Sequence, residues 1–369
     1  MRIVADDRIP FLRGVFEPFA EVRYLKGSAV SPADVADADA LVVRTRTRCD
    51  AALLGDSSVK FVATATIGCD HINAAELDKL GIAWCNAPGC NAGSVAQYLA
   101  TVLTGFGVPL AGRTLGVVGV GHVGKLAVKV GEALGMRVLL NDPPRAEAEG
   151  NADFVSLERI AREADFVTLH VPKVVSGAHP TVGLLDEGFF SAARPGVCLV
   201  KAARGEAVSG SALKAALRSG KVARAAVDVW ENEPDIDREL LSLCSFATPH
   251  IAGYSTDGKA NGTTMTVRAV AGFFGIDALK SFLALPPSPP ENTETIEART
   301  DAPEPEELHR ILCRTFDLRG MDSALRHDPG TFEALRGNAP LRREPFAYRV
   351  SGGSPGLRSR LGALGFGMI

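Results

Sequence analysis

Three residues of this sequence have the types and the setting to oxidise a hydroxyl beside a carboxylate: His250, Glu233 and Arg204. Such a reaction needs a base for the hydroxyl proton, and an imidazole, which exchanges protons near neutral pH, suits that task. His250 is therefore the candidate base. A carboxylate beside the ring favours the imidazolium that forms and selects the tautomer, the role expected of Glu233. A guanidinium offers paired donors to a substrate carboxylate and 2-oxygen, the role expected of Arg204. Taken singly, each residue has a plainer explanation as a core histidine, a surface arginine or a loop acid. Their shared setting overrides it. CLVKAARG, DVWENEP and ATPHIAG each leave an apolar run as a strand exit would, and open parallel sheets bind ligands at such exits.

The elements that must position them are legible as a rhythm. Short apolar runs at Arg2 to Ala5, Ala40 to Val43, Lys60 to Ala65 and Gly81 to Cys85 alternate with helix-like stretches, the pattern of parallel strands joined by helices. From Thr114 the rhythm restarts: TLGVVGV, a helical stretch from His122 to Leu134, then RVLLND, DFVTLHVP, GVCLVKAA, ARAAVDVW and FATPHIAG. This second block reads as a doubly wound domain.

Between its first strand and first helix stands Gly119-Val120-Gly121-His122-Val123-Gly124, a GxGxxG run in the context that gives it meaning. Gly119 is expected to permit the tight turn, Gly121 to let the backbone approach a pyrophosphate, and Gly124 to let helix and strand pack closely. The helix N-terminus attracts the phosphate charge. Asp142 ends the next strand 18 residues after Gly124, where its carboxylate accepts from ribose hydroxyls and repels a 2′-phosphate. NAD is thus favoured over NADP, with Arg145 nearby as the residue that softens the discrimination.

Bulk composition narrows the partners. The 369 residues carry a net charge of -3, which gives no general attraction to nucleic acid or an anionic membrane. The seven cysteines include no CxxC pair and are odd in number, unlike a secreted disulfide framework, and the N-terminus has no signal-peptide core. A cytoplasmic location is expected. The chemistry needs no metal. Residues from about Asp257 to Ile276 read as a helix, Leu285 to Glu307 as a Pro-rich acidic linker, and Leu308 to Ile369 as a small further domain with a basic cluster at Arg336, Arg342 and Arg343.

The fingerprint and the three strand exits resemble the D-2-hydroxyacid dehydrogenase family over roughly residues 1 to 280. Within it, VRTRT, FVATATIGCDHI, NAPGCNAGSVAQY, DVWENEPD, HIAGYSTDGKANGTT and FEALRGNAPLRREPF are similar to one branch, whose substrate is a small phosphorylated hydroxy acid. The resemblance implies an α/β fold: a Rossmann-type doubly wound parallel sheet inserted in a flavodoxin-like α/β substrate domain, plus a small C-terminal α+β dimerisation domain. The implied boundaries are 1–96 with 255–282 for the substrate domain, 97–254 for the NAD-binding domain, and 283–369 for linker and dimerisation domain, hence a homodimer.

Carried over residue by residue, the resemblance implies NAD contacts from His122, Val123, Asp142, Ala202, Ala203, Arg204, Asp228 and Gly253, beside the glycines above. It also implies substrate contacts from Thr45, Thr66 and Tyr254. Alternation along a strand would set Arg44, Arg46 and Arg48 on one face as candidates for the phosphate, Ile67-Gly68 offers backbone donors, and Arg342 and Arg343 are candidates for reaching a neighbouring subunit's site. Gln97 and Lys201 depart from the branch, where Glu and Asn are usual. Two other readings stay open: a dehydrogenase of another 2-hydroxy acid, such as phosphoglycerate, or an NAD-sensing binding protein that kept the fold.

Overall fold

A computed structural model of the chain describes residues 1–150, 153–289 and 293–369; positions 290–292 of the expected linker lie outside the described residues. The chain divides into two units, 1–91 with 255–287 and 92–254 with 288–369.

In the first unit, five strands, β1 (Arg2–Asp6), β2 (Glu21–Leu25), β3 (Ala40–Val43), β4 (Phe61–Thr64) and β5 (Ala83–Cys85), form a sheet in the order β2-β1-β3-β4-β5. All pairings are parallel. This is the flavodoxin-like order. β3 and β4 are buried on both faces, which is why ALVV and FVAT are unbroken apolar or β-branched runs. One apolar cluster joins Ile3, Phe16, Val42 and Phe61 to Val267 and Val270 of the helix Thr256–Phe274, and another covers the opposite face with Leu41, Val62 and Leu77. β2, EVRYL, is half exposed at the sheet edge and carries no alternation strong enough to mark it in the sequence.

The second unit is built on β6 (Thr114–Val118), β7 (Arg137–Asn141), β8 (Phe166–Leu169), β9 (Val197–Lys201), β10 (Val222–Val227) and β11 (Phe246–Ala247), in the order β11-β10-β9-β8-β6-β7, all parallel. A parallel bridge from Leu140 to Phe154 stands where the third strand of a Rossmann half would lie, beyond β7. The fingerprint follows β6, and the exits of β9, β10 and β11 carry Arg204, Glu233 and His250.

The C-terminal segment adds a parallel sheet of β12 (Thr295–Ala298), β13 (Arg349–Gly352) and β14 (Gly367–Met368). Its helix Glu304–Thr315 buries Leu308, Ile311 and Leu312 in the same apolar cluster as Tyr98, Leu99 and Val102 of the helix Ala92–Gly105. Gln97, buried in that helix, donates from Nε2 to Thr315 Oγ1 at 2.9 Å and to the Arg343 carbonyl at 3.0 Å.

Candidate active site

The fingerprint behaves as its glycines require. Gly119 has φ +84°, and a Cβ there would stand 2.8 Å from the His170 carbonyl oxygen. At Gly124 a Cβ would come within 2.0 Å of the Gly119 carbonyl oxygen, so helix His122–Ala133 packs against the turn only through glycine. A Cβ on Gly121, by contrast, would meet nothing, so the backbone at the helix N-terminus opens onto free space that fits a phosphate group. His122 is exposed there and Val123 is half-buried on the core.

Asp142 caps the helix Pro143–Glu149, accepting from Arg145 N–H at 3.2 Å, and its other oxygen accepts from Val120 N–H at 2.8 Å. The carboxylate thus ties the glycine turn to the next helix, with lone pairs remaining for hydroxyl donors. Arg145 binds Glu149 through Nε and Nη2 at 2.7 and 2.8 Å and the Val120 carbonyl through Nη1 at 2.6 Å, so a carboxylate already matches its charge.

At the late strand exits His250 and Glu233 meet: Nδ1 lies 2.8 Å from Glu233 Oε2. A carboxylate accepts only, so Nδ1 is the donor, and in the neutral ring the lone pair is then on Nε2, the form a base needs. Glu233 Oε1 accepts from Trp230 N–H at 2.8 Å. Burial pushes this carboxyl up, yet the bond to His250 and its charge, the Trp230 N–H and the Arg336 charge together leave it below its ordinary value. His250 and Asn232 both hold positive φ, +56° and +59°, uncommon for residues with a side chain and a sign that surrounding structure imposes the conformation.

What imposes it is a set of contacts around residues 248–252. Asp228 is buried; its Oδ1 accepts from Thr248 Oγ1 at 2.6 Å and Ile251 N–H at 2.8 Å, and Oδ2 from Ala252 N–H at 2.9 Å. The carbonyls of the same two residues accept from Arg342 Nη2, at 3.3 Å for Ile251 and 2.6 Å for Ala252. Residues 251 and 252 therefore have both N–H groups on an anion and both carbonyls on a cation, with the peptide between them held on both sides. Burial pushes the Asp228 carboxyl up and pulls the Arg342 guanidinium down to about 10, each moderated by neighbouring opposite charge. Tyr98 and Thr248 share a hydroxyl bond at 3.0 Å, and Trp230 Nε1 donates to the Thr248 carbonyl at 3.0 Å.

Arg204 is half-buried between Ala203 and Gly205, and its Nη1 donates to the Ala203 carbonyl at 3.0 Å. Gly205 is required by the neighbouring exit, since a Cβ would lie 2.1 Å from the Trp230 carbonyl oxygen. Ala202 is half-buried and Ala203 buried. Lys201, at the end of β9, is 1% exposed and its Nζ has no hydrogen-bond partner among the described residues; burial lowers its proton affinity against the charges of Glu231 and Glu206. Gly253 and Tyr254, both half-buried, continue the His250 loop, and Tyr254 N–H donates to the Ile251 carbonyl at 2.9 Å.

The first unit holds the remaining expected residues. Arg44, Arg46 and Arg48 do not alternate along a strand: β3 ends at Val43 and residues 44–48 turn, because polar side chains there have left the buried sheet. Arg44 Nη1 donates to the Arg8 carbonyl at 3.2 Å, and Arg48 pairs with Asp50 at 2.6 Å. Thr45 lines a cavity of about 590 Å3 with Arg46, Arg48 and His71. Thr66 donates to the Gly68 carbonyl at 2.9 Å, and Asn86 Nδ2 donates to the Ile67 carbonyl at 2.8 Å. Arg342, expected in a basic cluster able to reach a neighbour, is instead buried in its own chain. Its part in the His250 loop has no local sequence signal, since it lies 90 residues from Ala252.

A nucleotide cradle at one turn and an imidazole–carboxylate pair with an arginine at the later exits define an NAD-dependent dehydrogenase acting on a 2-hydroxy acid. Comparison with known proteins agrees. The model of the D-isomer specific 2-hydroxyacid dehydrogenase NAD binding domain matches residues 93–252. An erythronate-4-phosphate dehydrogenase of Bacteroides fragilis is 45% identical over 95% of this chain and 99% of its own length, and that of Azotobacter vinelandii is 42% identical over 99% of each. Among solved structures, D-mandelate dehydrogenase of Rhodotorula graminis superposes with a TM-score of 0.63 at 26% identity, covering 74% of this chain and 94% of that one. D-lactate dehydrogenase of Aquifex aeolicus, complexed with NAD and lactic acid, shares the fold with a TM-score of 0.63 at 24% identity, covering 78% of this chain and 100% of that one. The chain belongs to the erythronate-4-phosphate dehydrogenases, a branch of the D-isomer specific 2-hydroxyacid dehydrogenase family. NAD is its cofactor.

Proposed function

We propose that the chain oxidises 4-phospho-D-erythronate at its 2-hydroxyl to (R)-3-hydroxy-2-oxo-4-phosphobutanoate, with NAD reduced to NADH, as a step of pyridoxal phosphate biosynthesis. Relatives named for that substrate and matching nearly the whole chain support the assignment. NAD supplies, when bound, the acceptor for the hydride leaving C2. The chain's residues do the rest. His250 Nε2 takes the hydroxyl proton, and Glu233 holds Nδ1–H and matches the charge that develops on the ring. Arg204 binds the carboxylate and the 2-oxygen through its fork. Glycines 119, 121 and 124 with His122 and Val123 receive the pyrophosphate, Asp142 the ribose, and Ala202, Ala203, Asp228 and Gly253 complete the nucleotide contacts. For Asp228 this uses lone pairs beyond those that hold the His250 loop. Thr45, Thr66, Arg44 and Tyr254 contact the substrate.

The enzyme is a homodimer through residues 283–369 and works in the cytoplasm, a reading supported by seven free cysteines and by C2 symmetry as the common state of such enzymes. No helix among the described residues is long and apolar enough to cross a membrane.

The observation that carries the reading is the 2.8 Å bond between His250 and Glu233 at adjoining strand exits of an NAD domain. NADH formation from 4-phospho-D-erythronate, set against 3-phosphoglycerate and D-erythronate and run with a 2-keto acid acceptor in parallel, tests it. The expected result is preference for 4-phospho-D-erythronate, with kcat lowered at least about 100-fold by His250→Asn while NAD binding is kept. Preference for another hydroxy acid would refute the substrate assignment, and an unchanged kcat in the variant would refute the base.

A further inference from the structure

The C-terminal segment brings a cation to the His250 loop that no strand of the nucleotide domain supplies. Arg336, in the helix Phe332–Gly337, lies over the ring of Tyr254, with Cζ 5.5 Å from the centroid. Tyr254 stands four residues beyond His250 on the same loop. The Arg336 charge also reaches Glu233, where it helps to keep the carboxyl ionised. The side chain is 16% exposed, and Glu333, at 3.9 Å, is the only carboxylate within ion-pair distance among the described residues. Nε is buried and has no hydrogen-bond partner among them. A guanidinium largely withdrawn from water, with its buried Nε–H unsatisfied and its nearest carboxylate beyond hydrogen-bond length, has donors left for a further acceptor.

We infer that Arg336 binds the distal phosphate of the substrate whose C2 reacts at His250, a role that rests on the substrate reading proposed above. Four covalent bonds separate C2 from phosphorus in a 4-phospho-2-hydroxy acid, so the phosphate charge falls one side chain away from the imidazole rather than on it. Arg204 is then left to the carboxylate. A planar fork recognises phosphate oxygens in pairs, which a lysine cannot do. The position of Arg336 in the chain agrees: the match to the NAD binding domain shared by D-isomer specific 2-hydroxyacid dehydrogenases ends at residue 252, well before Arg336.

The test compares the parent enzyme with Arg336→Gln and Arg336→Lys on 4-phospho-D-erythronate and on D-erythronate, and measures competitive inhibition by inorganic phosphate. Arg336→Gln should lower kcat/KM for the phosphorylated acid about 10- to 100-fold and weaken phosphate inhibition about tenfold, with a loss on the unphosphorylated acid at least about fivefold smaller. Arg336→Lys should recover part of both losses. NAD affinity, unchanged in both variants, reports an intact second unit. Equal losses on the two acids would overturn the inference in favour of support for Tyr254. So would phosphate inhibition that is absent from the parent or unaltered in the variants. The phosphate readout does not depend on which hydroxy acid is oxidised, so a failure of the substrate assignment is seen separately in the parent's own preference.

Discussion

Asp142 shows how much one carboxylate does when the backbone turns around it. It accepts from Val120 N–H and Arg145 N–H, so it shapes the glycine turn and caps the following helix before any nucleotide is considered. In the proposed reading its charge disfavours a 2′-phosphate, and Arg145, paired with Glu149, is poorly placed to invite one. Asp142→Asn keeps an acceptor for the cap but removes the charge. The ratio of kcat/KM for NAD to that for NADP should fall at least about tenfold; a ratio unchanged from the parent would leave the carboxylate a purely structural role. His250 was legible as the candidate base because its strand exit could be read in the sequence. Its positive φ was not, because backbone conformation at a loop is imposed by the residues it meets.

At the scale of elements, the C-terminal segment is held together by a buried anion. Glu307, in the helix Glu304–Thr315, accepts from Arg310, from Arg299 N–H at 2.8 Å and from Arg299 Nε at 2.9 Å, joining that helix to the end of β12. The Arg310 bond first, then the Arg299 bonds, hold the carboxyl at about 2, against the opposing effect of burial, where 4.5 is ordinary. A carboxyl whose affinity for protons falls on folding stabilises the folded state above its unfolded value and loses that contribution as pH drops. The stabilisation is therefore full above about pH 4.5 and fades toward pH 2. Glu307→Gln should cost about 3 kcal/mol at pH 7 by urea unfolding, and the gap between parent and variant should narrow between pH 4.5 and pH 2. A gap that stays constant over that range would show that the ionised carboxylate is not the source. The Leu285–Glu307 stretch looked like linker because its prolines and acids cannot form a core of their own. Ile296 and Ala298 of β12 are nevertheless buried, in a cluster whose other members, Tyr98 and Val350 among them, come from elsewhere in the chain.

For the whole molecule, the consequential contact joins the two ends of the second unit. Arg342 donates to the Ile251 and Ala252 carbonyls and to Ser94 Oγ, while its guanidinium lies 4.4 Å from the centroid of the Phe316 ring. With Asp228 on the N–H groups of the same two residues, it fixes the backbone that directly follows His250. Arg342→Met retains the length of the side chain and removes its donors. Misaiming a base is expected to lower kcat on the order of 10- to 100-fold, with KM for NAD unchanged, in steady-state assays. Loss of NAD binding instead would mean that the C-terminal segment supports the nucleotide site at large rather than the loop.

The sequence alone determined those features whose physics is local. Strand and helix periods, the glycines that a turn requires and the residue types at strand exits are written in neighbouring positions, so the flavodoxin-like and Rossmann-type sheets and the placement of Arg204, Glu233 and His250 at strand exits could be read directly. The end of β3 at Val43, which puts Arg44, Arg46 and Arg48 in a turn, was misread because alternation by type cannot tell a strand from an extended turn. Only the tertiary structure decided that Asp228, Thr248 and Tyr98 form one buried series, that Arg342 reaches Ser94 across 248 residues of chain, and that Arg336 comes to rest over Tyr254. Such contacts depend on which groups are withdrawn from water together, and distant residues acquire that property only when the core closes.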